Sequence, residues 1–150
     1  MLLLTPPNRD PQAAAREAIA MAKSRGGELV IAVVLDPEVI ERLSTRLDEV
    51  GLMGERVSDT VRNTLAREYR SRADTLAAHI VEEAQREGVL SEVVIEEGDP
   101  SAICSRLVRK HQITLAILVA ERRSWLTRLL SGSAARVPEL PGCEIRVMAE

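Results

Sequence analysis

The strongest indication of the fold is a continuous run of apolar, mostly β-branched residues, Leu29-Val30-Ile31-Ala32-Val33-Val34-Leu35. A run of this kind predicts a strand that is buried on both faces, as in a parallel sheet covered by helices. Gly26-Gly27 precedes the run and Asp36-Pro37 follows it, so turn-forming residues bound it on both sides. The surrounding sequence should therefore supply further strands and the helices that cover them.

Four more segments are predicted as strands. They are residues 2–5, 93–95, 113–119 and 144–147. The first is stopped by Pro6-Pro7, which reads as a strand entering a loop. The last differs from the others, because Ile145 and Val147 alternate with Glu144 and Arg146. That alternation predicts a strand with one exposed face.

Helical patterns separate the predicted strands. After the first strand, one apolar stripe recurs at helical spacing: Ala15, Ala18, Ile19 and Ala22. Asp10 can cap this helix and Pro11 suits its first position. Residues 38–58 predict a short helix followed by a loop, and a long helix follows from Val61 to the stop at Gly88. Gly98-Asp99-Pro100-Ser101 opens another helix.

Alternation of strands and helices predicts one α/β domain over residues 1–150. We expect a three-layer arrangement in which a five-stranded, mostly parallel open sheet of the Rossmann-like kind lies between two layers of helices. Such sheets bind ligands beyond the carboxyl ends of their strands, where the strand order reverses. The loops after the first and fourth strands are therefore the predicted site.

Composition excludes several classes of function. The net charge is −3, and no cluster of Lys and Arg suggests a nucleic-acid partner. Cys104 and Cys143 stand far apart in the sequence, so a disulfide framework or zinc site is not expected. Neither a signal peptide nor an apolar stretch of membrane-spanning length is evident. We expect a cytoplasmic protein without a membrane partner; a regulatory domain of a larger transporter or kinase is the alternative.

The loop after the fourth strand has features of an anion site. Gly132 permits a tight turn and Ser133 can cap a helix, whose free amides would suit a phosphate. The surrounding residues 119–136 are positive, with Arg122 among four arginines against one glutamate. Asn8, in the loop after the first strand, would face this cradle. The alternative is that the Gly-Ser pair is only a helix cap and the arginines are only solvated.

Several segments together resemble the universal stress protein family. Residues 115–135, LAILVAERRSWLTRLLSGSAA, are similar to its fourth strand, glycine-rich loop and Gly-Ser helix start. Pro141-Gly142-Cys143 before Ile145-Arg146-Val147 resembles its Pro-Cys before the last strand, and Gly98-Asp99-Pro100 resembles a common turn. The resemblance covers nearly the whole chain and implies the fold of that family.

The resemblance also implies a degraded nucleotide site. ATP-binding members carry Gly-x2-Gly-x9-Gly-Ser/Thr, which falls here on Val119, Arg122, Gly132 and Ser133. Their aspartate after the first strand is Pro6 in this chain. We therefore expect a non-enzymatic regulatory or binding module without a cofactor, which does not bind ATP in the usual way. The alternative is an adenine-nucleotide (ATP or AMP) binding protein that uses the Gly132-Ser133 cradle.

The resemblance further implies a homodimer formed through the last strand, around Ile145 to Val147. The charges beside these residues could guard an edge strand or form cross-strand pairs. No nucleophile-base constellation and no metal-ligand spacing is evident, and His79 and His111 read as ordinary helix residues. An enzyme is therefore not predicted. Pro138 predicts that the last helix is short or bent.

Overall fold

Nine helices and strands make up the part of the chain that the computed structural model describes, which is residues 1–49, 55–120 and 140–149. In chain order they are β1 (Leu2–Thr5), α1 (Gln12–Arg25), β2 (Leu29–Leu35), α2 (Pro37–Glu49), α3 (Glu55–Arg86), β3 (Ser91–Glu97), α4 (Pro100–His111), β4 (Leu115–Ala120) and β5 (Glu144–Ala149).

The five strands form one sheet in the order β3-β2-β1-β4-β5, and every neighbouring pair is parallel. β1 lies at the centre, where Leu2 pairs with Val30 on one side and with Ala116 on the other. The predicted α/β fold, with helices on both faces of a parallel five-stranded sheet, is confirmed. β3 and β5 are the two edges.

Side chains of the central strands alternate between the two faces of the sheet, and each face carries an apolar layer. One, here called the α1-side cluster, consists of Leu3, Ala14, Ala15, Ala18, Ile19, Ala22, Leu29, Ile31, Ile80, Ala84, Val89, Ile117 and Val119. The other, the α4-side cluster, consists of Leu2, Leu4, Val30, Ala32, Val34, Ile103, Cys104, Leu107, Val108, Ile113 and Ala116. Every residue of β2 is buried, as the uninterrupted apolar run predicted.

The start of α1 differs from the prediction. Pro11 is the N-cap residue, and its carbonyl accepts a hydrogen bond from the Ala15 amide at 2.7 Å. The Asp10 carboxylate lies beside this first turn and accepts a hydrogen bond from Gln12 Nε2 at 2.9 Å. Because buried Pro11 is the N-cap residue, the first helical residue is Gln12, one position later than the sequence pattern indicated.

The region between β2 and β3 contains more helix than predicted. α2 extends to Glu49, and α3 begins at Glu55, six residues before Val61. The two helices contact each other, and Arg62 of α3 lies 3.5 Å from Glu41 of α2. Packing between the helices therefore favours longer helices than local residue preference indicates.

The turn into α4 follows the prediction. The Asp99 side chain accepts a hydrogen bond from the Ala102 amide at 2.7 Å, and Pro100 is the first helical residue. At the other end Gln112 adopts a left-handed conformation, and the Ile113 amide donates to the Val108 carbonyl. Ile113 therefore lies in the turn that follows α4, and β4 starts at Leu115, two residues later than predicted.

Candidate functional site

The strand order reverses between β1 and β4. The chain leaves β1 toward β2 on one side and enters β5 from β4 on the other, while Leu4 and Leu118 pair near the carboxyl ends of the two strands. Connections that depart in opposite directions leave a crevice between them, which is where ligands of such sheets bind. The predicted location of the site in the topology is therefore present.

The end of β1 offers little polar chemistry to this crevice. Thr5 is fully buried, and its hydroxyl donates a hydrogen bond to the carbonyl of Pro6 at 3.2 Å. Pro7 is also buried, whereas Asn8 is exposed. Because prolines occupy the two positions after the strand, no carboxylate follows β1 directly.

The end of β4 is apolar as well. Val119 is only 6% exposed and belongs to the α1-side cluster, together with Leu3 and Ile117. On the neighbouring strand its partner is Met148, which packs against the same cluster. The isopropyl group of Val119 is thus part of the core beneath the crevice.

Only one of the four predicted anion-site residues falls within the described residues. Asn8 lies in the loop after β1, as expected, while Arg122, Gly132 and Ser133 lie outside the described residues, as does Pro138. Their association into a phosphate cradle remains a prediction.

Sequence comparison agrees with this fold. The sequence profile of the Universal stress protein family matches residues 2–137 of the chain. The chain belongs to the universal stress protein family. No curated protein matches its sequence.

Similar solved structures include other universal stress proteins. One from Burkholderia pseudomallei is 17% identical with a TM-score of 0.61, and the alignment covers 99% of this chain and 96% of that one. UspA from Lactobacillus plantarum is 18% identical with a TM-score of 0.61, over 99% and 97% of the two chains. A universal stress protein solved in complex with cAMP is 12% identical with a TM-score of 0.60, over 99% and 96%. At these identities the likeness establishes the fold.

A polar group that the sequence did not single out lies near the carboxyl end of β2. Tyr69 of α3 is 6% exposed, packs against Val33 and Leu35, and has a buried hydroxyl without a hydrogen-bond partner. Burial, followed by the negative charge of Asp36, raises the pKa of Tyr69 to about 12. The helical stripe placed Tyr69 in the core, but no sequence signal shows whether a buried hydroxyl finds a partner.

Histidine, cysteine and carboxylate side chains are the remaining candidates for chemistry among the described residues. Across the described ranges, no three side chains of His, Cys, Asp or Glu come together as a metal site. His79 is exposed on α3, and His111 ends α4 with Nδ1 3.9 Å from a Glu92 carboxylate oxygen. None of the helices described is long and apolar enough to cross a membrane.

Proposed function

We propose that this universal stress protein is a non-enzymatic regulatory or binding module that does not hold ATP in the usual manner of its family. The observation that carries the proposal is the position of Val119, whose side chain is buried in the α1-side cluster. By the family resemblance, this position is the first glycine of the nucleotide motif. The location expected from the sequence is the cytoplasm.

Both the backbone at the phosphate end and the charge at the adenosine end differ in this chain from those of the ATP-binding members that it resembles. Glycine in such a loop lets the backbone approach a phosphate closely, since no side chain intervenes. Val119 instead has its branched side chain packed in the core beneath the crevice, so its backbone is held as extended strand and lacks the conformational freedom of a glycine. The aspartate that contacts the adenosine part in ATP-binding members is replaced by Pro6, whose side chain has no acceptor. Both ends of the nucleotide therefore lose a contact.

Addition of millimolar ATP and magnesium should leave the melting temperature of this protein unchanged within error. A ligand present at roughly a hundred times its Kd stabilises a protein by about 2.7 kcal/mol, which is a shift of several degrees in a domain of this size. A universal stress protein with all three glycines and the aspartate, measured alongside, supplies the positive control. A comparable shift in this chain would overturn the proposal.

Adenine-nucleotide binding through Gly132 and Ser133 is the second candidate function. It is favoured by the similar universal stress protein that was solved in complex with cAMP. A nucleotide with a single phosphate needs less of the glycine loop than ATP does. The same thermal titration should therefore include AMP and cAMP, with Gly132→Val as the matched variant. A shift with any of these nucleotides that Gly132→Val abolishes would establish the second function, and such a shift with ATP would also reject the first.

We further propose that the module works as a homodimer paired through β5. β5 is an edge of the sheet, and Val147 on it is 48% exposed. The neighbouring Arg146 is engaged within its own chain, because its guanidinium donates to Glu144 at 2.8 Å and to Glu17 of α1 at 3.0 Å. The charge that could guard this edge is thus directed toward α1, which leaves Val147 for a second copy.

Replacing Val147 with aspartate should convert the dimer to a monomer, since like charges would face each other across the paired strands. We expect the dimer dissociation constant to rise at least roughly tenfold, which corresponds to about 1.4 kcal/mol. Light scattering over a dilution series measures this. Leu90→Asp is the matched control, because Leu90 is 72% exposed and precedes the opposite edge strand. A monomeric parent chain, or equal disruption by Leu90→Asp, would contradict the assignment.

A further inference from the structure

We propose that Cys104 and Cys143 form an intramolecular disulfide when the protein reacts with a hydroperoxide, so that α4 becomes covalently linked to the segment that enters β5. This modification site does not depend on the nucleotide crevice, which lies at the carboxyl ends of the strands. The sequence did not indicate it, because the two cysteines are far apart and form no CxxC motif.

The fold brings the two cysteines to the same apolar layer. Cys104 is fully buried on α4 and belongs to the α4-side cluster. Cys143 immediately precedes β5, is partly exposed, and packs against that same cluster. Both sulfurs therefore lie on the α4 side of the sheet, and both cysteines are free thiols.

Ala116 of β4 locates the Cys143 sulfur further. Ala116 is fully buried in the α4-side cluster and pairs with Ile145, two residues beyond Cys143. Cys143 therefore lies beside the amino-terminal end of β4, where its thiol donates a hydrogen bond to the Glu144 carbonyl at 3.6 Å and its side chain packs on the layer that holds Cys104.

The electrostatics agree with this proximity. Burial raises the pKa of the Cys104 thiol to about 11, and the charge of Cys143 contributes to the same shift. Burial also raises the pKa of Cys143, and the Ala116 amide opposes that rise by stabilising the thiolate. Cys143 is therefore the more accessible thiol and the better placed to react first.

Disulfide formation takes place in two steps. The Cys143 sulfur attacks the O–O bond of the hydroperoxide, forming a sulfenic acid and releasing an alcohol, or water when the oxidant is hydrogen peroxide. The Cys104 sulfur then attacks the sulfenic sulfur; the S–O bond breaks, and the departing oxygen leaves as water with the Cys104 proton. Two thiols are oxidised and one peroxide is reduced. Because thiolates are the nucleophiles, the reaction should accelerate as the pH rises.

The test is treatment of the full chain with hydrogen peroxide, followed by tryptic mass spectrometry without reduction. We expect the peptides 87–106 and 137–146 to appear as one linked species, two hydrogen masses lighter than their sum, with loss of both free thiols. The native oxidised protein should remain the same size as the reduced one and unfold at a temperature several degrees higher, roughly as a long closed loop predicts.

Two variants separate this linkage from other oxidation. Cys143→Ala should leave the buried Cys104 unreactive, and Cys104→Ala should let Cys143 proceed to sulfinic acid or to a disulfide between chains. Sulfinic acid at Cys143 in the parent chain, a disulfide only between chains, no reaction with peroxide, or a linkage that forms only in denaturant would each overturn the proposal. The parent chain alone decides the question if the Cys104 variant does not fold.

Discussion

Leu3→Ala should lower the free energy of unfolding by about 3–5 kcal/mol, near the upper end for a leucine truncation. Leu3 is fully buried on β1, the central strand, and lies in the α1-side cluster. The members of that cluster contributed by α1 are mostly alanines, which have no rotamers that could move into the cavity. The site can therefore collapse only by moving the helix, and most of the cavity cost should remain. Chemical denaturation at neutral pH measures the loss.

The matched control for this change is Leu90→Ala, which removes the same atoms from a side chain that is 72% exposed. Its effect should stay within about 0.5 kcal/mol, as for surface substitutions away from special features. Equal losses for the two variants would mean that β1 is not the buried centre of the sheet.

Alkaline conditions should destabilise the protein through Tyr69. Its pKa is raised from the ordinary value of 10.0 to about 12 by burial and by Asp36. Between these values the unfolded chain loses the phenolic proton while the folded chain retains it, so the folded state binds more protons. Stability should therefore be fully present below pH 10 and fall by about 2–3 kcal/mol as the pH rises to about 12.

Tyr69→Phe should remove this part of the alkaline slope, and the difference between the two proteins isolates it from the titration of Cys104. At neutral pH the variant should be as stable as the parent chain, since the hydroxyl has no hydrogen-bond partner to lose. Because Tyr69 is the only tyrosine, tyrosinate absorbance reports its ionisation directly. A midpoint near 10 in the folded protein, or a large loss of stability at neutral pH, would contradict this account.

The fold was largely predictable because apolar runs carry its main signal. The bounds predicted for β1 and β2 agree with the structure, since proline or glycine punctuates both strands. α2 and α3 were less predictable, because contacts between Arg62 and Glu41 and the packing of Tyr69 depend on residues distant in the sequence. Element type was thus encoded locally, whereas helix length was decided by tertiary packing.

The crevice in the sheet topology was predictable, but the packing around it was not. Strand alternation indicated a crevice beyond β1 and β4, and the topology has one. The packing of the Val119 side chain in the core could not be predicted from residue types, because it depends on which face of the sheet a helix covers. For the same reason, the sequence does not show that Cys104 and Cys143 pack in the same apolar layer.

The central position of β1 has a consequence for synthesis on the ribosome. Leu2 is synthesised shortly before its partner Val30 in β2, yet its other partner, Ala116, follows more than a hundred residues later. Translation proceeds at roughly 5–20 residues per second, so β1 remains unpaired on its β4 side for several seconds or longer. Early association with β2 and α1 leaves the other edge of β1 without a partner strand. We therefore expect this chain to depend on chaperones most strongly before β4 is synthesised.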